Sequence, residues 1–460
     1  MSTYQWFIFF LIIQLIHGLG TWKLYEKAGR KSWEAFVPVY NSIVLMKIIN
    51  RPSWWTFLLF IPIINLIMFP VVWVETLRSF GRNSTIDTWL GIFTFGFYIY
   101  YINYTQNVTH IKDRSLVAPT KIGDTVSSIL FAIVVATLVH TYVMQPFTIP
   151  SSSLEKSLLI GDFLFVSKFH YGARPSMTTV AAPMFHDTLP IVKVKSYLYD
   201  DNNPSSWKNK LQLPYFRLPG FQEIKNNDIV VFNWPRDTLF HMYKPADRRY
   251  SKPIDKKTNY VKRCVGIPGD SLQIKNGDVF INGKAIVLPE RAKPQFCYDI
   301  NLKQSIDDVY DFARERGLNE ASFYYIISLK LWDNDVIKKF MVEEDISLIE
   351  FSRDTINALV YGGGEGLDKD NFKKLGMSVK DNYFQANLTQ AAADLLSKDE
   401  NVSSVNKYIK KNVEDGIFPD FMDGIPSKTN NWNSDNFGPI YIPKAGETVD
   451  LNLKSLPFYK

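Results

Sequence analysis

The sequence predicts a membrane-anchored chain in which N-terminal transmembrane helices lead into a mainly antiparallel β domain that carries a helical insertion. Three observations predict it. The first third of the 460 residues is unusually rich in aromatic and aliphatic side chains and holds uncharged runs of membrane-spanning length. After Val143 the pattern changes to short β-branched and aromatic runs punctuated by Gly, Pro and Asn. From about Gln304 to Asn412 the spacing of apolar residues turns helical.

The uncharged runs cover residues 4–19, 54–74, 88–104 and 126–143. The first has no basic start and is followed by Lys23 and Lys27 rather than a small-residue cleavage site, so it is expected to stay as an anchor. Pro62 and Pro70 are expected to kink the second. Lys23, Lys27, Arg30, Lys31, Lys47 and Arg51 follow the first run, Lys112, Arg114 and Lys121 precede the fourth, and only Arg78 and Arg82 lie between the second and third. Four spans and the positive-inside rule then place both ends of the chain outside the cytoplasm. The expected organisation is a multi-pass membrane region over 1–125 with about three helices, a transmembrane anchor at 126–146, a β domain over 147–290, a mostly helical insertion over 291–430, and a return to the β domain at 431–460.

Within the β domain, strand-like runs fall at 163–169, 228–234, 260–265, 271–274 and 278–281, and KNGDVFINGK places two Asn-Gly hairpin signals around a short strand. Strand signals return at 439–443 and 448–453. The insertion is read from SIDDVYDFARERG and QAAADLLSKDENVSSVNKYIKKNVEDG, each with a polar cap and a closing Gly. YGGGEG at 361–366 lacks the Lys-Ser or Lys-Thr of a phosphate loop and reads as a turn.

Net charge is +6, but the basic residues are scattered among acids with no arginine stripe, which argues against nucleic acid as a partner. Cys264 and Cys297 have no metal spacing, and none of the six histidines sits in a triad or ligand pattern, so no metal and no cofactor is expected. The chemistry lies elsewhere. FTIPSSSLEKSLLIGD at 147–162 brings Ser151, Ser152, Ser153 and Ser157 next to a bilayer surface, and YVKRCVGIPGD at 260–270 sets Lys262 among apolar neighbours. A serine hydroxyl needs a base, and a lysine becomes one when burial lowers its pKa from about 10.4. On the residues alone, Lys262 is equally a paired or snorkelling lysine, the serines are equally a turn or helix cap, and spacing does not choose among the hydroxyls. Arg263, the next residue on an alternating strand, faces the other way and reads as structural.

These two segments, with NNDIVVFNWP at 226–235, resemble type I signal peptidase, over 147–168, 228–235 and 259–284, and among its members the longer bacterial forms with extra membrane helices and a large insertion. The resemblance implies a membrane serine endopeptidase with a Ser/Lys dyad that removes signal peptides from exported preproteins, sits in the bacterial inner membrane among lipids, and presents its catalytic domain on the outer or periplasmic face. Matched to the family's Pro-Ser-X-Ser pattern, Ser153 takes the place of the nucleophile and Lys262 that of the general base. Ser151 stands where a hydroxyl joins the Ser153 backbone N–H in holding the oxyanion. Phe147, Ile149, Leu154, Leu158, Tyr260 and Val261 would line shallow pockets for small side chains, with Leu154 in place of the commoner Met. The family's Gly-Asp-Asn-Arg run, with the Asn-Ser and Asp-Ser-Arg that follow it, has no match here; Asn430 to Pro443 resembles a stretch that precedes it. The expectation is therefore a truncated reading frame or a variant that manages otherwise, and the competing reading is a catalytically impaired pseudo-peptidase or membrane scaffold that binds signal peptides or partner proteins. A soluble self-cleaving repressor is disfavoured by the four apolar runs and the lack of a DNA-binding helix pair.

Overall fold

A computed structural model describes residues 1–118, 120–241, 247–306, 309–318, 320–328, 335, 339, 347–351, 355–361, 377–413, 417–418, 431–452 and 455–459. The chain divides into two compact units. The first comprises Met1–Ile149, Gly161–Ile224 and Ile229–Lys262; the second comprises Pro150–Ile160, Lys225–Asp228 and Arg263–Lys460.

The first unit opens with helices α1 (Thr3–Lys27), α2 (Tyr40–Ile48), α3 (Trp55–Leu58), α4 (Ile64–Ser79), α5 (Thr85–Phe93), α6 (Tyr98–Thr105) and α7 (Lys121–Leu138). Helix α1 starts in a capping box: the Gln5 N–H donates to Ser2 Oγ (3.3 Å) and the Ser2 N–H to Gln5 Oε1 (2.9 Å), which satisfies two amides that the first turn leaves unpaired. The Gly123 N–H donates to Thr120 Oγ1 (3.0 Å) at the start of α7, and Asp124 lies in its first turn, where the helix dipole favours negative charge. Leu24, Tyr25, Met46, Ile64 and Ile102 are among the fully buried residues around which these helices pack.

Among the described residues, two stretches, Thr3–Lys27 and Lys121–Val143, are long and apolar enough to cross a membrane. The other two expected spans are broken. Pro62 lies in the turn between α3 and α4, where it has no N–H to carry a helix onward, and Pro70 is accommodated inside α4. Gly96, at φ 83°, reverses the chain between α5 and α6. Both segments return to the level at which they began. Arg51 (2.9 Å), Arg78 (2.8 Å) and Arg114 (2.6 Å) converge on the buried carboxylate of Glu75, Asn50 Nδ2 donates to the Lys112 carbonyl (2.6 Å), and Arg82 donates to Gln106 Oε1 (2.6 Å). A four-span layout puts the loop holding Arg78 and Arg82 across the bilayer from Arg51 and Arg114; the contacts put them side by side. These three guanidinium groups supply the counter-charge that a buried carboxylate needs. At the opposite end of α1, the Met1 ammonium donates to the Lys210 carbonyl (3.0 Å) and Trp6 Nε1 to that of Gln212 (3.2 Å).

Helix α7 runs through a π-helical turn, Val139–Val143, into strand β1 (Met144–Thr148), which pairs antiparallel with β2 (Phe163–Ser167) in the register Phe147↔Leu164. Alternation leaves Phe163 and Phe165 exposed on one face, at 81% and 74%. A long loop with the short helix α8 (Trp207–Lys210) follows. It is fixed by the buried Lys252 ammonium, which reaches both Asp237 (3.1 Å) and Asp187 (3.4 Å). Strands β3 (Ile229–Asn233) and β4 (Asn259–Arg263) form a second two-stranded ribbon.

The second unit holds a four-stranded sheet of β5 (Ser271–Lys275), β6 (Asp278–Ile281), β7 (Lys284–Ala285) and β14 (Phe437–Tyr441) in the order β14-β5-β6-β7. Both Asn-Gly pairs make the predicted tight turns: Asn276 and Gly277, and Asn282 and Gly283, all have positive φ (52°, 82°, 52° and 79°). Between β7 and β14 stands a six-stranded antiparallel sheet, not the expected helical module. Its strands are β8 (Gln295–Leu302), β9 (Ala321–Ser328), β10 (Ser347–Phe351), β11 (Thr355–Tyr361), β12 (Met377–Thr389) and β13 (Val402–Lys407), in the order β10-β11-β9-β12-β8-β13. The capped segments do form helices, α9 (Val309–Glu315) and α10 (Gln390–Leu396), but only as short pieces against the sheet. The β-branched and aromatic runs QFCYDINL, before α9, and ASFYYIIS, after it, both pair as strands with β12. Most of YGGGEG, and with it that turn assignment, lies outside the described residues. Cys264 and Cys297 are free thiols.

Candidate functional site

In the second unit, Pro150 leads the chain out of the β1–β2 ribbon, and Ser152–Leu154 form one turn of 3-10 helix preceded by Ser151 in extended conformation. This turn brings Ser151 Oγ and Ser153 Oγ within 3.5 Å of each other, both exposed. The Leu158 N–H donates to the Leu154 carbonyl (2.8 Å), which keeps these two half-buried leucines on one local turn. Ser157 is tied elsewhere: its hydroxyl donates to the Arg291 carbonyl (2.7 Å) and accepts from Arg263 (3.3 Å). Arg263 also donates to the Asn227 carbonyl (2.9 Å) and so has the structural role that its alternation predicts. Two of the competing hydroxyls are thus set beside each other and a third is committed to structure.

In the first unit, Lys262 lies on β4, half-buried, with Nζ 5.8 Å from the centroid of the Tyr260 ring. Burial holds its pKa below the ordinary lysine value, the direction a general base requires. Tyr260 is in turn braced by Trp234, ring to ring at 5.1 Å. Phe147 and Val261 are half-buried, whereas Ile149 is fully buried, its N–H donating to the Asp162 carbonyl (2.9 Å) and its carbonyl accepting from Gly161 (2.9 Å). Phe147 carries the Lys168 ammonium at 5.6 Å from its ring. Lys168 is a second perturbed lysine that sequence reading passed over. Burial, joined by the charge of Arg174, pushes its pKa down to about 8. The signal for it was the position of Lys168 at the end of a strand of alternating apolar residues.

A serine turn with paired hydroxyls, and a lysine depressed by desolvation on a strand among apolar side chains, are the separate ingredients of serine acyl chemistry without histidine. The family described as "Signal peptidase, peptidase S26" matches residues 122–317, a stretch that contains Ser151, Ser153 and Lys262. Residues 122–317 are thus similar to the signal peptidase S26 family. The matched region begins in α7 and ends just past α9, and a family of unknown function, DUF5684, matches residues 33–113 in front of it. Signal peptidase I of Buchnera aphidicola subsp. Baizongia pistaciae is 23% identical over 241 residues, 52% of this chain and 59% of that protein. Signal peptidase I of Rickettsia massiliae and of Rickettsia felis are each 26% identical over 159 residues, 35% of this chain and 42% of theirs. The chain therefore spans about two fifths to three fifths of these relatives' lengths. No solved structure matches it.

Proposed function

We propose that the chain is a membrane-anchored signal peptidase I, a serine endopeptidase that removes signal peptides from exported preproteins with Ser153 as nucleophile and Lys262 as general base. The observation that carries this reading is the S26 match over a stretch that holds both the Ser151/Ser153 turn and the desolvated Lys262. Ser153 Oγ attacks the scissile carbonyl carbon while its proton passes to Lys262 Nζ. The Ser151 hydroxyl and the Ser153 N–H hold the oxyanion, the peptide C–N bond breaks, and the departing amine takes the proton back. Water, deprotonated by the same lysine, then hydrolyses the serine ester. Leu154, Leu158, Tyr260 and Val261, with Phe147, supply apolar surface for small side chains flanking the cut. Ile149, assigned to the same apolar lining, is fully buried.

The test is cleavage of a preprotein whose signal ends in Ala-X-Ala by the full chain in detergent. Wild type is expected to cut at that site, and Ser153→Ala and Lys262→Met to lose about a thousandfold or more. Identical uncut product from wild type and Ser153→Ala defeats the enzyme reading in favour of a signal-peptide-binding scaffold.

A further inference from the structure

The first unit contains a cavity of about 370 Å³ that the peptidase reading does not use. Four basic side chains line it, Lys168, Arg174, Arg217 and Lys256, against one acid, Asp255. That acid is already committed: its carboxylate accepts from the Ser176 hydroxyl (3.0 Å), the Met177 N–H (3.1 Å), the Thr178 N–H (3.0 Å) and the Thr178 hydroxyl (2.9 Å). The cations are held by neutral groups. Arg174 donates to Asn233 Oδ1 (2.5 Å), Arg217 to the Gly172 carbonyl (2.7 Å) and the Tyr215 hydroxyl (2.9 Å), and Lys256 to the Phe185 carbonyl (3.4 Å). Lys168 has no ion-pair partner among the described residues and rests on the Phe147 ring. Lys256 is buried, Lys168 and Arg174 are half-buried and Arg217 is exposed at the rim, so like charges are gathered where water screens them poorly and a counter-charge from outside would relieve them. Its wall also includes Thr137 and His140, in the last turns of Lys121–Val143, a stretch long and apolar enough to cross a membrane, whose end would lie near a bilayer's polar headgroups.

We propose that this cavity is a binding site for a phosphate-bearing anion, occupied in the membrane by the headgroup phosphate of an acidic phospholipid held between Lys168, Arg174 and Arg217. Two guanidinium groups and an ammonium match the oxygens of one phosphate, with Arg supplying paired donors and Lys a point charge. The proposal does not depend on the Ser153–Lys262 chemistry.

The experiment uses the full chain in an uncharged detergent and follows its thermal midpoint as dioctanoyl phosphatidylglycerol, dioctanoyl phosphatidylcholine or inorganic phosphate is added. Phosphatidylglycerol is expected to raise the midpoint saturably and phosphatidylcholine to leave it unchanged. The double variant Lys168→Gln, Arg174→Gln, checked for native secondary structure by circular dichroism, is expected to bind phosphatidylglycerol at least tenfold more weakly. Lys168→Arg, which keeps the charge, is expected to retain binding. Inorganic phosphate as effective as the lipid overturns the headgroup assignment. Equal responses to the two lipids, or equal binding by wild type and the double variant, overturn the site.

Discussion

An ammonium group withdrawn from water without an acid beside it costs stability, and Lys168 is the clearest case in this chain. Its pKa of about 8 against 10.5 in the unfolded chain corresponds to at most roughly 3 kcal/mol. Below pH 8 both states are protonated and the full cost is present. Between pH 8 and 10.5 the folded state releases the proton first, so stability rises with pH; above 10.5 the cost has gone. Lys168→Met is therefore expected to melt higher than wild type at pH 7 in lipid-free detergent, with the gap closing as the pH rises through that window. A gap independent of pH would show that desolvation of the ammonium is not its source. Lys262, also depressed by burial, is expected to give a cleavage rate that rises with pH and levels off below the ordinary lysine value, because only the neutral amine accepts a proton. The sequence singles out Lys262 and the serines because each lies in a short contiguous motif. It does not single out the cationic cavity, because Lys168, Arg174, Arg217 and Lys256 come from distant positions and acquire meaning only when the loop from 168 to 258 closes around them.

At the level of elements, the turn after β2 constrains the cavity. Gly172 has φ 83°, and a Cβ there would lie 1.9 Å from the Leu218 carbonyl oxygen, a backbone atom that cannot swing aside. Gly172→Ala is expected to cost about 1–3 kcal/mol from the backbone conformation alone, and more from the clash. It also displaces the carbonyl that holds Arg217, so a lowered melting point should come with weaker phosphatidylglycerol binding. The hairpins of the four-stranded sheet were readable because an Asn-Gly pair dictates its own turn. The insertion was misread for a physical reason: α9 and the Thr389-capped α10 are genuine helices, but they are short, and the strands between them gain more from pairing in one sheet than the local helical pattern offers.

For the molecule as a whole, the apolar runs of the N-terminal third were legible, but their number did not fix their path. Length and hydropathy count segments, whereas the fold of α3–α4 and α5–α6 follows from Pro62, Gly96 and the arginines drawn to Glu75. If these pairs dip in and return to one side, Asn83→Cys and Asp113→Cys, made in a chain with Cys264 and Cys297 replaced by Ser, should react with a membrane-impermeant maleimide from the same face. Four full crossings require opposite faces. Such a return would also collect Arg78 and Arg82 with the other basic residues between α1 and α7, the distribution the positive-inside rule favours. The six-stranded sheet leaves and rejoins its neighbour at nearly one point: the Tyr408 N–H donates to the Cys297 carbonyl (2.8 Å), and the Gly277 N–H to that of Asp435 (2.8 Å). An excursion whose two ends touch behaves like a bead on a closed loop. It should be possible to cut out everything from 298 to 407, suture the ends with a few glycines and serines, or graft a fluorescent protein in its place, while β14 still finds its partner β5.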